Sequence, residues 1–432
     1  MILDEVLNHQ AFSNVLINRW LKDSDFSIKD DNLLVHLIYG VIQRKLTLDY
    51  YLSPYIKDRK IEDWVRVLLQ LSIYQLEYMD RIPSHAVVNE AVTIAKIQGH
   101  QGLANFVNGV LRSYLRGGKP EIIDTGDRHQ ELSLKYSVDP IIINQLADSL
   151  EDHELEEMLA SLLTPPYISV RINSKLTNRT DVINLLLSQG FEVEESHLSG
   201  QGLRILSGNI LTSKAYKLGL VTVQDESSML VAPLGQLSGG EQVLDACSAP
   251  GGKATHIASF LDTGHLLAMD ISSTKLEKVK AHSLRLKVDD VMSFRSGDAL
   301  EFIPEQGQMY DKIYIDAPCS GLGLMRRKPE IKYHNDPQVY YDLANLQLNL
   351  LNHLYQFLKP GGILVYSTCT LSRIENEDVV DNFLNNHSDL KIKPIQSDEV
   401  VMKTLITTQG YIRVWPHITM TDGFFIARFE KV

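Results

Sequence analysis

Two short segments of this chain carry residues able to do covalent chemistry. Asp316-Ala-Pro-Cys319-Ser-Gly321 and Ser367-Thr-Cys369-Thr370 each set a cysteine among polar residues. A cysteine sulfur can add to an electron-poor carbon and later depart, provided that a cationic or polar site raises its thiolate fraction. Each cysteine taken alone also reads as a small buried residue, and spacing does not say which of the two is the nucleophile. With the third, Cys247, they are too sparse for a disulfide framework and lack the CxxC spacing of a zinc site. All three are expected as free thiols, with no metal bound.

A third segment, Asp245-Ala-Cys247-Ser248-Ala249-Pro250-Gly251-Gly252-Lys253, reads as a strand running into a helix. Adjacent glycines at such a turn let backbone amides approach a ligand with no Cβ in the way. It is neither GxGxxG nor a Walker pattern. The next strands each end in an aspartate: Asp270, 19 positions after Gly251, then Asp298 and Asp316. An acid about 20 residues after a glycine turn is where doubly wound sheets grip a ribose diol. Asp298, after Ser296-Gly297, suits an adenine amino group. Any one of them alone reads as a helix cap. In strand order behind one glycine turn, they imply an adenosine compound held without a triphosphate cradle, which favours S-adenosylmethionine over ATP.

The elements that would position these groups follow from hydrophobic spacing. After Gly219, apolar runs alternate with amphipathic helical stretches: 242–247, 264–270, 291–295, 312–316, 362–367 and 424–429. Strands separated by helices imply a mostly parallel sheet covered on both faces, which binds ligands beyond the carboxyl ends of its strands. The first 120 residues read as helices instead. Ile61, Trp64, Val65 and Leu68 form one apolar stripe ending before Pro83, and further helices are expected over 84–97 and 103–115. Residues 131–163 look helical until Pro165-Pro166, and strand-like runs at 169–172 and 203–206 mark a short mixed region. The expected division is 1–125, an all-α bundle; 126–218, a linking region with a helical connector and a small α+β part; and 219–432, an α/β catalytic domain.

The chain has 432 residues, 44% hydrophobic and 22% charged, which excludes a disordered or low-complexity protein. No apolar run approaches the about 20 residues that cross a bilayer, and the first residues are acidic where a signal peptide is basic. A cytoplasmic protein is therefore expected. The formal charge of −12, taken as a total, opposes a nucleic-acid partner. Yet residues 1–124 hold 14 basic against 15 acidic residues and residues 125–165 hold 2 against 9, so the acid is concentrated in one connector.

DACSAPGGK, DAPCSG and STCT together resemble the signature set of the RNA cytosine-C5 methyltransferases. IYGVIQRKLTLDYYL, YMDRIPSHAVVNEAV and ANFVNGVLR are similar to the NusB-like domain fused to that catalytic domain in the RsmB (Sun, or Fmu) group, and VRIN, VQDESS and DGFFIARF fit the same group. The resemblance spans nearly the whole chain. It implies a Rossmann-like S-adenosylmethionine-dependent domain and a cytosine of 16S ribosomal RNA as target, with a monomer expected. A transfer-RNA cytosine enzyme and a non-catalytic NusB-like RNA-binding factor are the alternatives.

Cytosine C5 is too weak a nucleophile to take a methyl group until another nucleophile has added to C6. The resemblance assigns that addition to Cys369 and makes Cys319 a helper in product release. It lets Asp316 contact both cofactor and cytosine, and lets Lys253 orient or neutralise groups around the base. Cofactor contacts are expected from Cys247 to Lys253 and from Asp270, Asp298 and Asp316. The basic segment Arg326-Arg327-Lys328, with Lys332 and Tyr333, is expected to hold phosphates while the base is turned out, and Arg171 is added by family analogy.

Overall fold

The computed structural model describes all residues except 10, 24–25, 58, 123–125 and 334–335. The chain forms two compact units. The first comprises Met1–Thr164 and Met325–Asn335, the second Pro165–Leu324 and Asp336–Val432. The expected border at residue 125 lies outside the described residues. The stretch 126–218 contributes its helices up to Ser161 to the first unit, and its strands, with the helices Arg179–Ser188 and Lys214–Lys217, to the second.

The first unit is helical. Among the described residues, seven helices, from Ile2–His9 to Gln101–Gly117, precede Arg128–Tyr136, Pro140–Ala147 and Asp152–Ser161. Their apolar faces meet in a core containing Val41, Ile42, Leu48, Leu52, Val65, Leu69, Ala104, Val107 and Leu111. Of the expected stripe, Val65 and Leu68 are buried, while Ile61 and Trp64 pack half-buried at its edge. The helix Asp63–Tyr78 stops short of Pro83, which instead opens Ser84–Gln98 as its N-cap. Proline is tolerated there because the first helical amides have no intrahelical acceptor.

Residues 325–333, which follow the second unit's first stretch, pack with this helical core. Lys332 is fully buried, its ammonium donating to Gln43 O at 2.7 Å, Gln43 Oε1 at 3.0 Å and Tyr136 O at 3.0 Å. Burial holds its pKa well below the ordinary lysine value. The Ser13 amide donates to Glu330 Oε1 at 3.0 Å, and the Tyr333 hydroxyl donates to Ile42 O. Arg326 is buried as well, donating from Nε to Thr164 O at 3.3 Å and from Nη2 to Thr164 Oγ1 at 3.2 Å. Within the basic segment expected at phosphate, the Lys332 ammonium and the Nε and Nη2 of Arg326 are therefore bound to oxygens inside the unit, and both side chains are buried. Arg327 and Lys328 are half-buried.

The second unit holds two sheets. The smaller is antiparallel, in the order β2-β3-β1-β4, with β1 Ile168–Ile172, β2 Glu192–Glu195, β3 Gly202–Ser207 and β4 Val221–Val223. The larger has β5 Gln242–Asp245, β6 His265–Asp270, β7 Met292–Ser296, β8 Tyr310–Asp316, β9 Leu358–Thr368, β10 Leu390–Ile392, β11 Ile412–Val414 and β12 Phe424–Lys431. Its order is β10-β12-β9-β8-β5-β6-β7, with β11 also paired to β12. β5 to β9 run parallel, whereas β12 is antiparallel to β9, β10 and β11. Alternate residues serve opposite faces: Val243, Tyr314 and Val365 join one apolar cluster, Leu244, Ile313 and Leu364 the other. The order reverses between β5 and β8, leaving a crevice at their carboxyl ends.

Replacing Lys332 by Met keeps the stem's bulk but strands the buried Tyr136 oxygen and two half-buried oxygens of Gln43. The expected cost is about 1–3 kcal/mol to the helical unit, read as a lower urea midpoint. A variant as resistant as the parent would show that these bonds contribute nothing net.

Candidate active site

β5 ends at Asp245, and the chain turns through residues 246–251 into the helix Gly252–Ala258. Gly251 has φ 104°, and a Cβ there would lie 3.0 Å from Val279 Cα, so both conformation and space demand glycine. Asp270, at the end of β6, fastens the turn: its Oδ2 accepts the Ala249 amide at 3.1 Å and its Oδ1 the Ser272 amide at 2.9 Å. Asp298 accepts the Leu300 amide at 2.9 Å as a cap and stays half-buried. Burial raises the Cys247 thiol pKa, and Asp245, Asp316, Asp270 and Asp298 add to the effect, so Cys247 sits in a ring of carboxylates as a neutral group.

Asp316, at the end of β8, joins three elements. Its Oδ2 accepts from Lys253 Nζ at 2.6 Å, and its Oδ1 accepts from the Ser367 hydroxyl of β9 at 2.8 Å. Burial is the largest influence and would lower the Lys253 pKa, but the charge and hydrogen bond of Asp316, with Cys369 and Asp245, together outweigh it and hold the ammonium protonated. That ammonium lies 4.7 Å from the centre of the Phe424 ring and within electrostatic reach of Cys369.

Three positions past Asp316 comes Cys319, and one past β9 comes Cys369. Their sulfurs are 3.3 Å apart. The hydrogen bond to Cys369 and then burial push the Cys319 thiol up, which favours its protonated form. The Cys369 loop is pinned by backbone: the Gly323 amide donates to Cys369 O at 2.9 Å and the Gly423 amide to Gly323 O at 2.9 Å. A Cβ on Gly323 would fall 2.0 Å from Gly423 O.

The fold therefore brings Lys253, Asp316, Cys319 and Cys369 into one cluster, with the glycine turn and Asp270 on the neighbouring strands. Arg171, expected at RNA, is only 2% exposed. Its Nη1 donates to Gly252 O at 2.6 Å and to Gln224, and its Nη2 to Thr255 Oγ1 at 3.2 Å. This corrects the analogy: Arg171 is spent on holding the first turn of the helix behind the glycine loop, and a guanidinium so enclosed offers no surface to phosphate. Among the described residues, no group of three or more side chains has metal-ligating placement. No described helix is long and apolar enough to cross a membrane.

Sequence reading passed over Asp245, Ser367 and Phe424. Asp245 is 1% exposed, and neither carboxylate oxygen has a hydrogen-bond partner among the described residues. Burial and then the Asp316 charge raise its pKa to about 7. Its place before the glycine turn was the available signal. A buried carboxylate with spare acceptors at this turn fits a ligand that carries a cationic group, as the ammonium and sulfonium of S-adenosylmethionine would. The Cβ-free turn and the Asp270 carboxylate fit its nucleoside.

The raised Asp245 pKa sets a direction for stability. From the usual carboxylate range up to about pH 7 the folded state binds more protons than the unfolded one, so unfolding free energy falls as pH rises. A tenfold difference in proton affinity between the two states corresponds to about 1.4 kcal/mol. Asp245→Asn cannot titrate. Its stability relative to the parent, measured by urea unfolding, should therefore be more favourable at about pH 8 than at about pH 5; a pH-independent difference would refute this account.

Comparison with known proteins agrees with this geometry. Residues 234–430 match the family described as 16S rRNA methyltransferase RsmB/F, residues 1–116 the NusB family, and residues 142–210 the ferredoxin-like domain of RsmF/B-like methyltransferases. The probable ribosomal RNA small subunit methyltransferase B of Bacillus subtilis is 37% identical, over 98% of this chain and 95% of the relative. That of Synechocystis is 33% identical, over 100% and 98%. A solved methyltransferase homolog from Pyrococcus horikoshii superposes with a TM-score of 0.61 at 26% identity, covering 72% of this chain and 100% of that one. From its amino-terminal NusB helices to its methyltransferase sheet, the chain belongs to the RsmB/F family of small-subunit ribosomal RNA methyltransferases.

Proposed function

We propose that this protein methylates C5 of a cytosine in 16S ribosomal RNA, using S-adenosylmethionine and a transient bond from Cys369 to C6. The observation that carries the reading is the pair of sulfurs 3.3 Å apart beside the Lys253–Asp316 ion pair, at the reversal point of the sheet.

Bound along the glycine turn, S-adenosylmethionine supplies an electrophilic methyl group. Everything else falls to the chain. The Cys369 sulfur adds to C6, and the π electrons of the C5–C6 bond move toward C5 and the ring's polar edge. Lys253 and Asp316 can meet that edge with opposite charge: the ammonium offsets developing negative charge, while the carboxylate accepts a hydrogen bond from the ring. C5, now enamine-like, takes the methyl group. Loss of the C5 proton to water then restores the double bond and expels Cys369. Cys319, held as a thiol against that sulfur, is placed to assist the departure. Arg327 and Lys328 are the members of the expected phosphate-binding set that keep exposed area, and we assign them RNA contact.

Cys369→Ala should abolish methylation of ribosomal RNA transcripts by labelled cofactor. Cys319→Ala should allow attack but accumulate an RNA–protein adduct stable to denaturant. A Cys369→Ala enzyme that turns over would refute the assignment. Bisulfite sequencing of ribosomal and transfer RNA from a deletion strain fixes the substrate: a lost mark in transfer RNA replaces the proposed target, and no lost mark with RNA binding intact replaces the catalytic reading.

A further inference from the structure

Behind the two cysteines lies a fully buried carboxylate that the methyl-transfer chemistry does not use. Glu375 sits in the turn between β9 and the helix Glu377–Asn386 and has no ion-pair partner among the described residues. Hydrogen bonds alone satisfy it. Oε2 accepts the Ser320 amide at 2.9 Å and Gln347 Nε2 at 3.0 Å, while Oε1 accepts the Ser320 hydroxyl and, at 3.3 Å, the Thr370 hydroxyl. The two hydroxyls also meet at 2.7 Å.

Ser320 directly follows Cys319, and Thr370 directly follows Cys369. These two residues are 50 positions apart in sequence, and one carboxylate holds both. Around it, Gln347 also donates to Pro318 O at 2.9 Å, and the Tyr366 hydroxyl donates to Glu375 O at 2.6 Å, so the carboxylate is itself fixed in place. Burying such a charge is costly unless its acceptors are filled. Here they are filled by the residues that follow the two sulfurs.

We infer that Glu375 is a positioning residue that sets the spacing of the Cys319 and Cys369 loops, and with it the hand-over from attack to release. The inference rests on the proposed cysteine chemistry for its catalytic meaning, but the spacing itself can be measured without RNA or cofactor. Diamide joins two nearby thiols as a disulfide, its N=N bond taking up both hydrogens. The rate at which the reduced full-length protein forms a Cys319–Cys369 link, followed by peptide mass mapping, therefore reports the spacing.

Glu375→Gln, which places a donor where an acceptor is needed, should slow that link by about tenfold or more. Thr370→Val should slow it too, while Thr370→Ser, which keeps the hydroxyl, should restore the parent rate. With RNA, Glu375→Gln should lower kcat and leave KM for S-adenosylmethionine unchanged, a split that general loss of folding does not produce. A Glu375→Gln protein that melts like the parent and links at the parent rate overturns the inference. If that variant does not fold, Thr370→Val linking at the parent rate overturns it equally. Failure of the methylation reading alone would show as absent turnover in the parent with the linking rates ordered as stated.

Discussion

The contact on which the site depends is the Asp316 carboxylate shared between Lys253 and Ser367. It spans the helix after the glycine turn, the end of β8 and the end of β9. The lysine and aspartate side chains are 15% and 28% exposed, so each charge would be costly without the other. The pair fixes how far the glycine turn stands from the two cysteine loops. The parallel pairing of β5 with β8 and of β8 with β9 brings those ends level, because parallel neighbours release their chains on the same edge of the sheet.

Acids around this edge have different fates. Asp270 is satisfied by two amides and acts as a rigid brace for the turn. Asp316 is satisfied by an ammonium and a hydroxyl. Asp245 has neither and is held partly protonated by burial. Three carboxylates of one chemical kind thus serve as brace, counter-ion and unspent acceptor, according to which donors the neighbouring loops supply. The cysteines divide in the same way. Cys247 is kept neutral among acids, and the contact with Cys369 and burial push the Cys319 thiol up.

Much of this was legible in the chain. The alternation of apolar strands and helices after Gly219, the glycine turn, and the aspartates ending successive strands are local patterns of period and composition, and β5 to β9 follow them closely. The short strands β10 and β11 were missed because three residues carry too little periodicity. The basic segment after Cys319 was misread for a different reason. Charge runs usually mark solvated surface, and nothing near Arg326 or Lys332 in sequence announces that Thr164, Gln43 and Tyr136 will surround them.

What the sequence determined by itself was the inventory: a pair of cysteine-bearing loops, a Cβ-free glycine turn, carboxylates at strand ends and a helical unit ahead of them. Those features depend on residue type and on neighbours within a few positions, where steric and hydrogen-bonding rules act directly. Only the tertiary structure decided which groups spend their charges inward and which two sulfurs meet. Residues 50 positions apart acquire a distance only when strand order and register are set, and a side chain's hydrogen-bond capacity counts as free or used only once every distant donor and acceptor has taken its place.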